Sequence, residues 1–217
     1  MAQYRAFLFD LNGTVINDMS FHIQSWYEIL NNLGATISME ETKLQCYGKN
    51  EELLERIFPK RFSEEAIHEM IIEKETRYQE NFRPHLKLIE GLGDFLEQAY
   101  TSNIKMAIGS AAIPFNIDFV LDGLNLHKYF SAVVSAYDVI ESKPHPETFL
   151  NCAEKLNVAP ADCLVFEDSP KGVEAAARAG MKVVVITTMH TKEEFYGDNI
   201  ICFIEDYHDA QLQQLVK

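Results

Sequence analysis

Short runs of consecutive apolar residues recur along this chain, and they predict strands buried on both faces of a parallel sheet. They lie at residues 6–9, 104–108, 132–135, 163–166, 182–187 and 200–204. From residue 91 onward, helical spacing lies between these runs and after the last one, and it predicts helices at 91–100, 114–122, 146–156, 170–180 and 205–216. Strands that alternate with helices imply right-handed crossovers, so we predict a doubly wound α/β fold with a parallel sheet.

Residues 17–84, between the first predicted strand and the others, show helical spacing and no clear strand. The predicted helices run from Ser20 to Leu33, from near Ser38, from Asn50 to Phe58 and from Ser63 to Phe82. Ser20 is the expected N-cap of the first helix, and Gly34 is its expected stop. Because this block interrupts the α/β pattern, we interpret it as an insertion that can cap the strand ends. We predict a core domain of residues 1–16 and 85–217 and an all-α cap domain of residues 17–84.

Four polar side chains close a predicted strand or follow one, namely Asp10, Ser110, Lys143 and Asp168. The carboxyl ends of parallel strands gather at one edge of the sheet, where such sheets bind ligands. Carboxylates at this edge repel each other unless a cation shares them, and oxygen ligands of this kind suit Mg²⁺. Taken alone, each residue also has an ordinary explanation: a capped turn for Asp10, an N-cap for Ser110, a solvated loop position for Lys143.

Composition and charge narrow the possible partners. The formal net charge of −14 disfavours nucleic acid and anionic membranes, and an anionic substrate would need local cations. No apolar run approaches the roughly 20 residues that span a bilayer. Because residues 1–5 lead straight into the first predicted strand, we expect no signal peptide. The four cysteines form no CxxC pair and no zinc spacing, which favours a reducing compartment. We expect a cytoplasmic protein, and a monomer.

The chain resembles the haloacid dehalogenase superfamily of aspartate-based phosphotransferases, especially the branch of β-phosphoglucomutase and small-sugar phosphatases. Four motifs, in order across nearly the whole chain, carry the resemblance. They are Asp10, Gly13 and Thr14 in the first motif, Ser110 in the second, Lys143 before Pro144 in the third, and Glu167-Asp168 in the fourth. The cap insertion of the family falls at the position of residues 17–84.

The resemblance implies a role for each motif residue. Asp10 would be the nucleophile that forms an acyl phosphate, and Lys143 would neutralise charge on the transferring phosphoryl group. Phosphate would be bound by the side chains of Ser110 and Thr14 and by the adjoining backbone, at Gly109 and Ala111. The metal set would be Mg²⁺ held by Asp10, by the backbone carbonyl of Asn12 and by Asp168, with Glu167 in support.

Asn12 departs from the family, which has Asp at this position as a general acid and base. An amide cannot exchange protons near neutral pH, but the carbonyl that would bind the metal is unchanged. Three interpretations stay open: an engineered change, a substrate whose leaving group needs little protonation, or a protein that binds phosphate and barely turns over.

The predicted cap offers candidate substrate-binding residues at His22, Gly48 and Lys49. The resemblance gives His22 a part in holding the substrate, whereas a helix histidine at a domain boundary is the ordinary alternative. Glu51 stands where the mutase has a phosphate-binding arginine, which argues against a bisphosphate. We therefore expect a phosphatase of small phosphorylated metabolites; the alternatives are a hexose-phosphate mutase and a catalytically weak phosphate-binding module.

Overall fold

Six parallel strands form one sheet in the computed structural model, which describes residues 4–216. The strands are β1 (Ala6–Phe9), β2 (Lys105–Gly109), β3 (Ala132–Val134), β4 (Cys163–Glu167), β5 (Lys182–Ile186) and β6 (Ile200–Ile204). Their order in the sheet is β3-β2-β1-β4-β5-β6, with β1 in the interior. The predicted doubly wound parallel sheet is confirmed. The predicted lead-in at residues 1–3 lies outside the described residues.

Eight α-helices accompany the sheet in the described residues. The first four are α1 (Met19–Asn32), α2 (Met39–Gln45), α3 (Asn50–Ile57) and α4 (Glu64–Phe82). The last four are α5 (Leu92–Thr101), α6 (Pro114–Gly123), α7 (Glu147–Leu156) and α8 (Pro170–Arg178). Within residues 4–216 there is no helix of the length and apolar character that crossing a membrane requires.

The chain divides into two compact units. Asp18–Leu86 form a unit with α1 to α4, called here the helical unit, and the rest of the described chain forms the α/β unit. α1 begins at Met19 with Asp18 as its N-cap, so the predicted N-cap at Ser20 is wrong by two positions. The domain boundaries that we expect after residues 16 and 84 stay predictions.

Alternation along β1 builds the core of the α/β unit on both faces of the sheet. Ala6 and Leu8 face a cluster that includes residues of α7 and α8. Phe7 and Phe9 face the other way, where Phe9 stacks on Phe166 with ring centroids 4.6 Å apart and Phe7 stacks on Phe95 at 5.6 Å. Burial of each such ring stabilises the fold by roughly 1.5–3 kcal/mol, so the strand that ends at the first motif is held from both sides.

The predicted final helix over residues 205–216 is wrong. The structure has only a short 3₁₀ turn there, at Ala210–Gln214. Asp206 and Asp209 accept backbone N–H groups two residues further on through their own side chains, and such local hydrogen bonds compete with a helix. Tyr207 turns inward instead, and its N–H donates to Glu90 O at 2.9 Å.

Candidate active site

Strand register brings the first, second and fourth motifs to one edge of the sheet. Phe9 of β1 pairs with Ile108 of β2 on one side and with Phe166 of β4 on the other. Asp10 follows one residue after this level, and Ser110 and Asp168 follow two residues after it. From β1 the chain runs through β2 to β3 on one side and then crosses back to β4 on the other side of β1, so the strand order reverses between β1 and β4. Ligands bind outside the carboxyl ends of strands at such a reversal.

A buried ammonium group joins two of the carboxylates at this edge. Lys143 Nζ lies 2.6 Å from Asp10 Oδ1 and 2.7 Å from Glu167 Oε1. All three side chains are buried, Glu167 almost completely. Burial by itself lowers the pKa of Lys143, but the two carboxylates and their hydrogen bonds outweigh burial and raise the pKa above that of an ordinary lysine. Lys143 is therefore a fixed positive charge beside Asp10.

Glu167 is held by several donors besides Lys143. Its Oε2 accepts the N–H of Asp168 at 2.8 Å, the N–H of Ser169 at 2.7 Å and the Ser169 hydroxyl at 2.9 Å. The carboxylate lies at the start of α8, where the helix dipole favours negative charge, and a Cβ at Gly172 would come 1.8 Å from Glu167 Oε1. Protein donors use both oxygens of this predicted metal ligand, so Glu167 serves as an anchor for Lys143.

The loop that carries Lys143 connects β3 to α7 and is tied to the start of that helix. Glu147 Oε2, in the first turn of α7, accepts the N–H of Ile140 at 3.0 Å. The peptide bond that follows Lys143 is cis. The Lys143 ammonium also lies 4.6 Å from the centre of the Phe149 ring, at a distance typical of cation–π contacts. These contacts direct Lys143 toward the carboxyl ends of β1 and β4.

The turn that follows β1 lies directly against Asp168. Gly13 has a φ of +78°, which favours glycine, and a Cβ there would come 2.0 Å from Asp168 Oδ2. The hydroxyls of Thr14 and Thr188 each lie 3.5 Å from one oxygen of the Asp168 carboxylate. The glycine of the first motif is thus required both by its backbone conformation and by the closeness of this carboxylate.

Ser110 closes β2 on the other side of β1 and is almost completely buried. Its hydroxyl accepts the N–H of Ala112 at 3.1 Å, whereas the N-cap of the following helix α6 is Ile113. Gly109 and Ala111 flank Ser110, and a Cβ at Gly109 would meet a side-chain sulfur of α7 at 2.8 Å. Ser110 therefore belongs to a compact loop at the sheet edge, and the explanation of Ser110 as an ordinary N-cap is wrong.

The oxygen donors at this edge suit a magnesium ion. Among residues 4–216, no three His, Cys, Asp or Glu side chains are grouped so as to hold a metal by themselves. The predicted set needs only two carboxylates, Asp10 and Asp168, together with the backbone carbonyl of Asn12, because Glu167 is engaged elsewhere. Mg²⁺ is usually bound by one or two protein carboxylates and takes water or substrate phosphate for its other ligands. The residues present fit that pattern.

Two hydroxyls that the sequence pattern did not single out reach the turn after β1. Thr188 Oγ1 donates to Gly13 O at 2.7 Å, and the hydroxyl of Tyr207 donates to Thr14 O at 3.0 Å. Neither residue lies in one of the four motifs. The only available signal was that Thr188 follows a predicted strand and so belongs to the same edge of the sheet.

In the helical unit, His22 belongs to a buried network of polar side chains. Its Nδ1 lies 2.6 Å from Lys74 Nζ, and its Nε2 lies 3.2 Å from Asp18 Oδ2. The imidazole stacks on Tyr78 with ring centroids 3.8 Å apart, and the Tyr78 hydroxyl donates to Asp18. An ammonium can only donate, so Nδ1 accepts and the ring proton is assigned to Nε2. The substrate-holding role of His22 remains a prediction.

The segment around Gly48 connects α2 to α3, and Gly48 has a φ of +75°. Arg56 Nη2 donates to the carbonyls of Gln45 at 2.7 Å and of Tyr47 at 2.9 Å. The guanidinium also lies over the Tyr47 ring, 3.8 Å from its centre. Lys49 follows directly and is half-buried. The segment is therefore fixed within the helical unit, while the substrate-binding roles of Gly48 and Lys49 stay predictions.

Comparisons with known proteins give the family. The profile of the haloacid dehalogenase-like hydrolases matches residues 7–186. Fructose-1-phosphate phosphatase YqaB of Escherichia coli (strain K12) is 28% identical over 182 residues, which cover 84% of this chain and 96% of that protein. β-Phosphoglucomutase of Bacillus subtilis (strain 168) is 29% identical over 188 residues, which cover 83% of this chain and 82% of that protein.

A solved structure of a haloacid dehalogenase hydrolase from Entamoeba histolytica has the same fold. It is 27% identical, with a TM-score of 0.86 over 98% of this chain and 97% of that chain. The family profile covers all four motifs from Asp10 to Asp168. With the motif residues gathered at one sheet edge, the conclusion is that this chain belongs to the haloacid dehalogenase-like hydrolases, in the branch that includes β-phosphoglucomutase and sugar phosphatases.

Proposed function

We propose that this chain is a Mg²⁺-dependent phosphomonoesterase that acts on small phosphorylated metabolites through an aspartyl-phosphate on Asp10. The observation that carries the proposal is the buried Lys143 ammonium, 2.6 Å from Asp10 Oδ1 at the edge shared with Asp168. A carboxylate and a phosphate repel each other, so attack needs fixed positive charge beside both groups. The phosphatases and the mutase among the relatives support this choice of substrate class.

In the first step, a carboxylate oxygen of Asp10 attacks phosphorus and the P–O bond to the leaving group breaks. The leaving oxygen keeps the bonding electrons and takes up a proton from water, because the Asn12 amide cannot supply one. Lys143 stabilises the charge on the transferring phosphoryl group, and Ser110 donates its hydroxyl to a phosphate oxygen. In the second step, water attacks the acyl phosphate, inorganic phosphate leaves, and the Asp10 carboxylate is restored.

Asp10, Asp168 and the backbone carbonyl of Asn12 would hold the magnesium ion. When bound, the ion supplies positive charge to the phosphate oxygens in addition to that of Lys143. Because a backbone carbonyl is the same in Asp and Asn, the departure at position 12 leaves this donor set complete. Because the chain has a net charge of −14, an anionic substrate needs local positive charge, which the ion and Lys143 would supply.

Asn12 weakens both proton transfers. The first step needs an acid for an alkoxide leaving group, and the second needs a base for water, and an amide serves as neither. The chain should therefore favour leaving groups of low pKa, such as those of aryl or acyl phosphates, over sugar phosphates. It should also accumulate phosphorylated Asp10, because hydrolysis of the acyl phosphate becomes limiting.

The helical unit is the proposed cap, with His22, Gly48 and Lys49 as the groups that select the substrate. Glu51 lies in α3, close in sequence to Gly48 and Lys49. A carboxylate at this position repels a second phosphate, which favours a phosphatase over a mutase that acts on a bisphosphate. The choice of metabolite would depend on the side chains that the helical unit offers to the substrate.

The test is rapid-quench kinetics with Mg²⁺ on the chain as given, on Asp10→Asn and on Asn12→Asp, with an aryl phosphate and a panel of sugar phosphates. Asp10→Asn should abolish turnover and the acid-stable protein-bound phosphate. Asn12→Asp should raise sugar-phosphate turnover by roughly 10²-fold, on the scale of general acid–base help, and change the aryl-phosphate burst much less.

Three results would count against the proposal. Turnover retained by Asp10→Asn, with its normal Mg²⁺ dependence, would remove Asp10 as the nucleophile. Equal rates for Asn12→Asp and the chain as given, with both substrates, would place the proton transfer elsewhere, and His22 would be the next residue to change. Conversion of one hexose phosphate into another by the chain as given would establish the mutase instead.

A further inference from the structure

Hydrogen bonds within the turn after β1 use the N–H groups of residues 13–16, whereas the carbonyls of Gly13 and Thr14 accept from side chains outside the turn. Leu11 O accepts the N–H of Thr14 at 3.3 Å, of Val15 at 2.8 Å and of Ile16 at 3.3 Å, while Gly13 N–H donates to Ile16 O at 2.7 Å. The turn thus closes on itself. Buried carbonyls are nearly always paired, so the outward carbonyls of Gly13 and Thr14 need donors from elsewhere in the α/β unit.

Those donors are the two hydroxyls that lie outside every motif. Thr188 Oγ1 is 2.7 Å from Gly13 O, and the Tyr207 hydroxyl is 3.0 Å from Thr14 O. A carbonyl can only accept, so both hydroxyls donate. Burial raises the pKa of Tyr207, and the negative charges of Asp168 and Asp10 raise it further, so the phenol keeps the proton that it donates.

Rigid surroundings fix where both hydroxyls lie. The Tyr207 ring is buried beside Phe95 and Phe166, with ring centroids at 5.6 and 6.0 Å. Thr188 follows β5, which is hydrogen-bonded to β4. The aromatic core therefore fixes the hydroxyl of Tyr207, and the sheet fixes that of Thr188. Each hydroxyl holds one carbonyl of the turn in place.

The position of this turn relative to Asp168 has little tolerance. A Cβ at Gly13 would lie only 2.0 Å from Asp168 Oδ2. Thr188 Oγ1 also lies 3.5 Å from the same Asp168 oxygen. The Thr188 hydroxyl has one proton, and it donates that proton to Gly13 O at 2.7 Å. Thr188 therefore lies between the turn and the Asp168 carboxylate without donating its proton to the carboxylate.

We propose that Thr188 and Tyr207 are positioning residues, which hold the Gly13–Thr14 turn against Asp168 and so set the spacing of the oxygen donors for Mg²⁺. The donor set is divided between the turn, through the Asn12 carbonyl, and the strand ends, through Asp10 and Asp168, because the Asp10 N–H donates to Phe166 O of β4 at 3.0 Å. Any drift of the turn changes the distance between the two parts. This inference rests on the proposed function, because it concerns the same metal site.

The first experiment measures Mg²⁺ affinity by calorimetry, without substrate, on Thr188→Val and Thr188→Ser. Valine keeps the shape and removes the hydroxyl, so the Kd for Mg²⁺ should rise roughly 10-fold, as for other residues that orient metal ligands. Serine keeps the hydroxyl and should restore the affinity. Thr187→Val is the matched control, because the Thr187 hydroxyl donates to Ile204 O at 3.2 Å and not to the turn.

The second experiment applies the same measurement to Tyr207→Phe, which keeps the buried ring and removes only the hydroxyl. Its control is Tyr129→Phe, whose hydroxyl lies on the surface and donates to Glu97 Oε2 at 2.7 Å. Hydrogen exchange of the peptide over residues 11–16 supplies a readout that needs no metal. Exchange should be faster in Thr188→Val and Tyr207→Phe, and unchanged in both controls.

The outcomes separate this inference from the proposed function. If the unchanged chain binds Mg²⁺ and Thr188→Val and Tyr207→Phe bind it equally well, the positioning role is refuted and the function stands. Loss of affinity in Thr188→Ser as large as in Thr188→Val would also refute it, because the hydroxyl would then be irrelevant. If the unchanged chain binds no Mg²⁺, both proposals fail together.

Discussion

Replacing Lys143 by methionine tests the buried charge cluster at its centre. The change keeps the length of the side chain and removes the ammonium that lies 2.6 Å from Asp10 Oδ1 and 2.7 Å from Glu167 Oε1. Breaking a buried ion pair by removing one partner costs about 3–5 kcal/mol, because a charge is left buried without compensation. We expect the lower end, about 3 kcal/mol, because Glu167 keeps three other donors.

The assays are urea unfolding, analysed by linear extrapolation, and thermal unfolding, each applied to the unchanged chain and to Lys143→Met. For a chain of this size, a loss of about 3 kcal/mol lowers Tm by roughly 6–12 °C. Lys128→Met is the control, since Lys128 Nζ lies 3.0 Å from Glu97 on the exposed surface and such pairs contribute little. Turnover should be lost in Lys143→Met and kept in Lys128→Met.

The pH dependence of this difference has a definite sign. Because its partners raise the pKa of Lys143 in the folded chain, its stabilisation is fully present below the ordinary lysine pKa of about 10.4 and is lost as pH rises through the raised value. The difference in unfolding free energy between the chain and Lys143→Met should therefore not shrink between pH 7 and 9, the range in which the two should be compared.

A double-mutant cycle that combines Lys143→Met with Glu167→Gln tests whether the Lys143–Glu167 ion pair contributes a coupling energy to the unfolding free energy. The double variant removes both charges, so its cost should fall short of the sum of the single costs by about 1–2 kcal/mol, within the usual range for residues in contact. Additive costs, or a single-variant loss below about 1 kcal/mol, would refute the claim that Glu167 acts by anchoring a buried Lys143.

Three further predictions concern the same edge. Asp168→Asn should weaken Mg²⁺ binding strongly and Glu167→Gln less, because protein donors use both Glu167 oxygens; equal losses by calorimetry would contradict this assignment. Gly13→Ala should lower Tm more than Gly34→Ala, because both glycines have positive φ but only a Cβ at Gly13 would collide with a carboxylate. Equal shifts in Tm would show that the turn moves aside. Ser110→Ala should raise KM for a phosphate ester by roughly 10-fold, the scale of one hydrogen bond to a charged group, and an unchanged KM in initial-rate kinetics would remove Ser110 from the phosphate site.

The pattern of apolar residues was sufficient to predict the strands of the sheet. It was insufficient where tertiary contacts outweigh local helical spacing. Buried apolar runs such as residues 6–9 and 163–166 specify strands because both faces must be covered. The segment 205–216 has helical spacing, yet Tyr207 is drawn into the aromatic core beside Phe95, and the Asp206 and Asp209 side chains satisfy the backbone locally. The spacing of apolar residues cannot show that packing of Tyr207 against a ring distant in sequence outweighs helix formation.

The features of the candidate site likewise divide into those that the sequence predicts and those that depend on tertiary contacts. Asp10, Ser110 and Asp168 were predictable because each follows a strand, and the register of a parallel sheet brings strand ends together. The anchoring of Lys143 by Glu167 was not, since it depends on the backbone path at the start of α8. The contacts of Thr188 and Tyr207 with the turn were not predictable for a similar reason, because each hydroxyl donates to a carbonyl 175 or 193 positions away in the sequence.

The interior place of β1 has a consequence for how this chain acquires its structure. Phe7 pairs with Met106 on one side and with Leu164 on the other, so neither edge of the strand is satisfied until segments made much later are present. The helical unit, Asp18–Leu86, is continuous in sequence and needs no such partner. Contacts of long sequence separation form slowly, and during synthesis the strand that carries Asp10 must wait, with its apolar side chains unpaired, until β4 emerges. Asp10, the proposed nucleophile, is thus made well before β2 and β4, and its surroundings are complete only when both strands are present.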